Sequence, residues 1–368
     1  MVAHGGESPT RKANDCRHVA HANDSDLKEK PIMIELVNKF QELNLEDYPV
    51  DQINHLIAEI GRIPIMRSEY NAGKVIYRAR PHSNEDEDFL NVSDLSYKPE
   101  KFNTKYQRAS TPSRTMFYGA IIPELPEGDL IDDERIIGAF EVIDFLRNLR
   151  KKKGEKVISY GVWRVNSLIS TYAIIPSDPG KTKVSWLRKL AENFNENLKG
   201  QHGFKDKAPI IQDFLAEEFS KQVEDGKDYN YLISAMFSNK VCELGVDGVL
   251  YPSVKMKGTG LNIALTSECV DSRLTLVDVI KCKVYKKCKE VIINNLKRGT
   301  VDQNTGAISW KDIPLGKYRA PEDYFREQLS KVYCSSKRKR KKSKKEKMMR
   351  LIKKRERKNN KRRKKTNH

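Results

Sequence analysis

The run DERIIGAFEVIDFLRNL at 133–149, followed by VISYGVWRV at 157–165 and LISTYAI at 168–174, decides the fold class. In the first stretch Ile136, Ile137, Phe140, Ile143 and Leu146 recur at the three- and four-residue spacing that lines one face of a helix. The other two are short and rich in β-branched and aromatic residues, which marks them as β segments. Upstream lie two more β segments, Val75–Ala79 and Thr115–Ala120. Downstream, helices are expected at Val184–Leu198, Ile210–Val223 and Tyr231–Leu244, the last ended by Gly245. Strands return at Val249–Val254 and Leu261–Leu265, and a β-rich end, Leu274–Val284 with a hairpin around Asn304–Gly306, closes the body. Hairpins with segregated helices read as α+β, since a doubly wound fold needs regular βαβ alternation. No period of 20–50 residues repeats, which excludes solenoids and propellers.

Ahead of this core, Met33, Leu36, Val37, Phe40 and Leu43 predict an amphipathic helix, and Ile53, Leu56, Ile57 and Ile60 a second, with Asp51 as N-cap and Gly61 as stop. This pair reads as a helical cover with no chemistry of its own. Residues 1–30 are polar and expected to be disordered. They hold no apolar run resembling a signal peptide, and no 18-residue apolar stretch occurs anywhere, so a soluble, unexported chain is expected.

The formal charge of +19 suggests nucleic-acid binding until it is located. Residues 337–368 contain 20 Lys and Arg against 2 Glu, a net +18, which leaves +1 for residues 1–336. The body is near neutral and the basic character belongs to a low-complexity tail, whose self-repulsion and few apolar residues keep it from packing a core. Its cations suit a phosphate backbone, an acidic partner or an anionic membrane surface. No aromatic residue interleaves with them, which argues against base stacking.

The six cysteines lack CxxC spacing, so reduced thiols in a cytosolic compartment are expected. His4, Cys16, His18 and His21 are irregularly spaced, and no metal is expected there. The chain also lacks a P-loop, HExxH, a nucleophile elbow and a Rossmann GxGxxG after a strand. Gly258-Thr259-Gly260 reads as a turn.

Three segments remain: Tyr77-Arg78-Ala79-Arg80; Gln107-Arg108-Ala109-Ser110 followed by Met116-Phe117-Tyr118-Gly119-Ala120; and Asp247-Gly248-Val249-Leu250-Tyr251-Pro252-Ser253-Val254 with Asn262-Ile263-Ala264-Leu265. Together with Ala139-Phe140-Glu141 they resemble the RES domain, a family named for an Arg, a Glu and a Ser, which includes bacterial toxins partnered by an antitoxin. Arg108 and Tyr118 keep the family's ten-residue interval, Glu141 follows on the next helix, and Ser253 fills the Tyr-Pro-Ser role. Gln107 replaces the family Gly, Ser110 replaces the Asn, and Ile121–Asp132 reads as an inserted loop. Glu141 is preferred over Glu134 and Asp144 by its Ala-Phe-Glu context, and Glu134 falls in a first helical turn where acids partner the dipole.

The resemblance spans about residues 75–275 and implies a split β-sheet similar to ADP-ribosyltransferases, with NAD as substrate in the cleft. The chain then divides into the disordered N-terminus 1–30, a helical segment 31–73, a RES catalytic domain 74–285, a β-rich extension 286–336 and the tail 337–368. The implied activity is cleavage of the nicotinamide–ribose bond, with water, phosphate or a protein as acceptor. Arg108, with Arg78 or Arg80, would bind the pyrophosphate, because the guanidinium fork matches phosphate oxygens. Arg78 and Arg80 alternate along a strand, so one is expected to face the cleft and the other to form a surface salt bridge. Tyr118 would stack on a flat ring, Glu141 would stabilise the ribosyl cation, and Ser253 would bond the amide or a ribose oxygen. Read without the resemblance, Tyr118 is a core residue and Ser253 a strand-end hydroxyl, while Trp163 and Trp186 are packing. A rival expectation is a binding module with an inactive RES-like cleft and a tail that anchors nucleic acid.

The charge partition makes body and tail separable. Deleting 337–368 is expected to leave NAD cleavage intact and to abolish binding to nucleic acid or anionic surfaces. In the full chain that binding should fall steeply with salt while cleavage changes little; filter binding and nicotinamide release from both chains measure it.

Overall fold

The computed structural model describes residues 24–121, 134–148, 150–182, 184–201, 203–253, 260–287, 290–314 and 327. The tail 337–368, residues 1–23, the loop expected after Ile121, the side chain of Glu134, and Cys16, Cys288 and Cys334 lie outside the described residues.

The helical cover consists of α1 (Asp24–Gln41) and α2 (Val50–Ile60). Leu36 and Phe40 from α1 and Ile53, Leu56, Ile57 and Ile60 from α2 are buried. Helix α1 begins at Asp24, inside the stretch expected to be disordered. Helix α2 also starts earlier than expected: Pro49 is its N-cap, and Asp51 lies in the first turn. It ends at Gly61, in the left-handed region at φ 67°.

In the core, β1 (Arg67–Tyr70), β2 (Val75–Pro81) and β3 (Met116–Ile121) are followed by α3 (Glu134–Val142), α4 (Asp144–Arg147), β4 (Lys153–Val165) and β5 (Ile169–Ala173). Then come α5 (Ser185–Leu198), α6 (Lys207–Ser220), α7 (Leu232–Glu243), β6 (Gly248–Pro252), β7 (Leu261–Thr266), α8 (Ser267–Arg273), β8 (Leu274–Lys287), β9 (Glu290–Val301) and β10 (Ile308–Asp312). The fold is α+β. Among the described residues the ten strands form one open sheet in the order β1-β5-β6-β7-β3-β2-β4-β8-β9-β10. All neighbours run antiparallel except β5 and β6.

Three differences from the sequence expectation have physical causes. Strand β1 falls within the segment assigned to the helical cover; its alternation of exposed Arg67 and Glu69 with buried Ser68 and Tyr70 suits pairing with β5. The helix expected over 133–149 is two helices, broken at Ile143, which has extended backbone. Ile143 and Leu146 stay buried across the break, so the apolar stripe runs on although the helix does not. Strand β8 continues to Lys287 and pairs with β9, so the β-rich extension belongs to the same sheet as the core.

Strand β2 pairs with β4 along Val75–Pro81 but meets β3 at one position only, Tyr77 opposite Ala120. The sheet therefore parts between β2 and β3. Ala139 from α3, Ile143 at the break and Leu146 from α4 pack on Ile158 and Tyr160 of β4 and on Cys282 and Val284 of β8. A larger core gathers the cover, α5–α7 and strands β5–β7. Trp163 is buried in it edge-on to Phe117, ring centres 5.3 Å apart, and Trp186 packs at its margin.

The hairpin β6–β7 carries residues of the site and depends on Gly248. A Cβ at that position would lie 2.0 Å from the Ala264 carbonyl oxygen, so only glycine lets β6 run this close to β7. Gly248→Ala is expected to destabilise the protein by about 1–3 kcal/mol, the usual effect of overpacking. A lowered denaturation midpoint at unchanged slope would show it; wild-type stability would mean that the strands separate without loss.

Candidate active site

A cavity of about 840 Å³ opens where β2 and β3 part, a volume in the range of small-molecule sites. Its walls include Arg78 and Arg80 from β2, Tyr118 from β3, Glu141 from α3, Asn262 from β7 and the loop preceding Arg108.

Glu141 is held by two donors. Its Oε1 accepts from Ser253 Oγ at 2.6 Å and from Asn262 Nδ2 at 2.9 Å. Both partners come from the β6–β7 hairpin, where Tyr251 lies opposite Asn262 and the Ser253 N–H donates to Gly260 O at 2.7 Å. Ser253 is fully buried and Asn262 nearly so. Hydrogen bonds of this kind fix a carboxylate in place.

Arg78 fills the parting between the strands. Its Nη1 donates to the Tyr118 carbonyl at 2.7 Å, and the guanidinium sits 4.9 Å over the Phe117 ring. Its Nε is buried, with no partner among the described residues. Burial first, and repulsion from Arg80 second, lower its pKa to about 10, so it stays cationic at neutral pH. Arg80 also lines the cavity, donates to the Asp94 carbonyl and lies 5.0 Å over Phe89. Two expectations are corrected here. Both arginines line the cavity, because side chains two apart on a strand share one face, and Arg80 forms no salt bridge among the described residues but bonds the Asp94 carbonyl.

Arg108 lies in the cavity wall, with its guanidinium turned to the end of α6. It donates to the carbonyls of Phe219 and, at 2.9 Å, of Lys221, and stacks 5.2 Å over Tyr231. Two of its five N–H groups thus satisfy carbonyls at a helix C-terminus.

The ten-residue interval between Arg108 and Tyr118 has a local cause. The Tyr118 hydroxyl accepts from the Ala109 N–H at 3.0 Å and bonds Ser110 Oγ at 2.9 Å, and Ser110 Oγ accepts from the Met116 N–H at 3.0 Å. Tyr118 therefore moors the turn that carries Arg108. Burial pushes its phenol up to about 12, so it stays protonated. Its ring, like that of Tyr251, lines the cavity.

Sequence reasoning named Asn262 in a motif but gave it no role. The signal was present: Asn262 is an amide in a strand, LNIALT, whose six side chains are all buried. Tyr251 was likewise quoted in a motif without a role and Tyr231 was read only as a helix start, and nothing local distinguishes their rings from those of core tyrosines. Among the described residues no group of three His, Cys, Asp or Glu could hold a metal ion, and no helix is long and apolar enough to cross a membrane. Cys242, Cys269 and Cys282 are buried. No family model matches this chain, and no curated protein matches it.

Removing the Arg108 guanidinium strands two carbonyls at the end of α6. Arg108→Ala is expected to lower stability by about 1–3 kcal/mol even without ligand. A denaturation midpoint equal to wild type would show that water replaces the guanidinium and that the residue acts on ligand alone.

Proposed function

We propose that the chain is an NAD-consuming enzyme that cleaves the nicotinamide–ribose bond, with a RES-like domain whose parted sheet is the split sheet of an ADP-ribosyltransferase-like core. The observation that carries this reading is Glu141, fixed by Ser253 and Asn262, in the wall of a cavity that also presents Arg78, Arg80 and Arg108. A ligand matched to such walls carries anionic oxygens for the arginines and a centre that becomes positive beside the carboxylate. NAD offers both: a pyrophosphate, and a ribose carbon that gains positive charge as the glycosidic bond breaks.

In the proposed reaction the electron pair of the C–N bond moves to the pyridinium nitrogen, releasing neutral nicotinamide. Glu141 stabilises the oxocarbenium-like ribose, and its fixed orientation avoids reorganisation during the step. The oxygen of water then bonds the ribose carbon and loses its proton, giving ADP-ribose. Phosphate in place of water gives phosphorylated ADP-ribose, and a protein side chain gives a mono-ADP-ribosylated product. Arg78 and Arg80 would hold the pyrophosphate. The bacterial toxins in the RES family give the proposal a physiological form, an antitoxin partner that occludes the cavity.

Incubation of the purified protein with NAD, with and without phosphate, is expected to release nicotinamide, and phosphate dependence separates the acceptors. Glu141→Gln keeps an oxygen for Ser253 and Asn262 but removes the charge, and is expected to lower turnover by about 10²–10³ with the fold intact. Turnover at the wild-type rate in that variant would remove Glu141 from the chemistry.

A further inference from the structure

The segment of the cavity wall before Arg108 is built as a platform. Phe102 lines the cavity yet is 56% exposed, at the end of a 3₁₀ turn, Glu100–Phe102. An isolated exposed phenylalanine is ordinary, but this one is held between two anchors. On one side the Tyr97 hydroxyl donates to Asp271 at 2.8 Å, and burial together with that carboxylate pushes the phenol up to about 12. On the other, buried Asn103 donates from Nδ2 to the Thr111 carbonyl at 2.6 Å. The turn is closed by the Phe102 N–H on Pro99 O at 2.9 Å and the Asn103 N–H on Glu100 O at 2.7 Å. Lys101 Nζ lies 5.0 Å from the centre of the Phe102 ring. Lys98 also lines the cavity, is exposed, and has no ion pair among the described residues.

We infer that this loop is a purine-nucleotide subsite, in which Phe102 stacks on the base and Lys98 takes a phosphate of the same nucleotide. An aromatic face kept in water on a fixed turn gains contact area when a flat base covers it, and the turn is already ordered, so little conformational entropy is lost on binding. The Lys98 ammonium, in the wall of the same cavity, supplies the cation a nucleotide phosphate needs. The inference rests on the dinucleotide reading of the cavity, and it places the adenosine half at this loop, apart from the carboxylate that would act on the nicotinamide half.

Calorimetry with four unreactive or truncated ligands tests it: AMP, adenosine, nicotinamide mononucleotide and ADP-ribose, on wild type, Phe102→Ala, Phe102→Trp and Lys98→Ala. Phe102 is exposed, so its variants are expected to fold. Phe102→Ala should weaken AMP, adenosine and ADP-ribose by about tenfold, the effect of losing one base–aromatic stack. It should leave nicotinamide mononucleotide unchanged, and Phe102→Trp should restore affinity. Lys98→Ala should weaken AMP and leave adenosine unchanged. Equal AMP affinity in wild type and Phe102→Ala overturns the inference. So does a wild type that binds nicotinamide mononucleotide but not AMP, and that result leaves the NAD reading standing. A wild type that binds none of the four, nor NAD, removes the reading and the inference together.

Discussion

The cavity exists because β2 leaves β3 after a single pair, and the Arg78 guanidinium occupies the opening. A strand that parts from its neighbour strands its backbone carbonyls, and a buried carbonyl without a donor is costly. Arg78 resolves this for Tyr118 by donating to its carbonyl from the side chain of the facing strand. The arrangement needs a long, planar, always-charged donor. A lysine would supply a shorter contact and could not also lie over Phe117 as the guanidinium does. The opening thus carries its own positive charge, and with Arg80 two residues further along the strand its field favours an anion. The buried Nε of Arg78, without a partner among the described residues, adds a donor for which an acceptor in the cavity would compensate.

Opposite charges occupy different walls. The arginines come from β2 and from the turn before β3; the carboxylate comes from α3 and is oriented by the β6–β7 hairpin. Because Glu141 bonds residues 112 and 121 positions away in sequence, its orientation is a property of the assembled fold. The close run of β6 along β7 at Gly248 sets the register that puts Tyr251 opposite Asn262, and the next residues bring Ser253 to the same carboxylate oxygen. An ion pair of Arg273 with Asp247 at 2.7 Å, and the bond from the Ser170 N–H to that same carboxylate, tie the start of the hairpin to β5 and α8.

Much of this was legible in the sequence wherever a physical pattern is local. The stripes of α1 to α3 and α5 to α7 and the apolar runs of β2 to β8 announce themselves by spacing, and Glu141, Arg78 and Tyr118 stand on the elements expected of them. What was not legible is pairing. Nothing in Val75–Pro81 says that β2 will pair fully with β4 and once with β3, because that choice is made by strands far apart in the chain. The surface salt bridge expected of one arginine of the pair is not formed by Arg80 among the described residues; it meets the Asp94 carbonyl and the Phe89 ring on the loop that follows β2. Helix α8 escaped because its seven residues are mostly polar; its start is set by the Thr266 hydroxyl accepting from the Cys269 N–H, a cap recognisable only once the preceding strand is known.

The N-terminal cover, read from sequence as inert, is mechanically joined to the site. Tyr48, at the end of the turn between α1 and α2, holds a left-handed backbone at φ 50°, a conformation that costs energy in a residue other than glycine. From there its hydroxyl donates to Asp228 Oδ1 at 3.2 Å, while Asp228 Oδ2 accepts from the Tyr106 N–H at 3.1 Å. The Tyr229 hydroxyl returns the link to Glu46 at 2.8 Å, and the three tyrosine rings pack together, with centres 6.1 and 6.4 Å from Tyr48. Tyr106 lies two residues before Arg108, and Tyr229 two before Tyr231, the ring over which Arg108 stacks. The cover therefore clamps the two segments whose contact fixes Arg108, and the strain at Tyr48 is sustained by the bonds that do so. A helix pair without a reactive group of its own determines where a cavity residue stands.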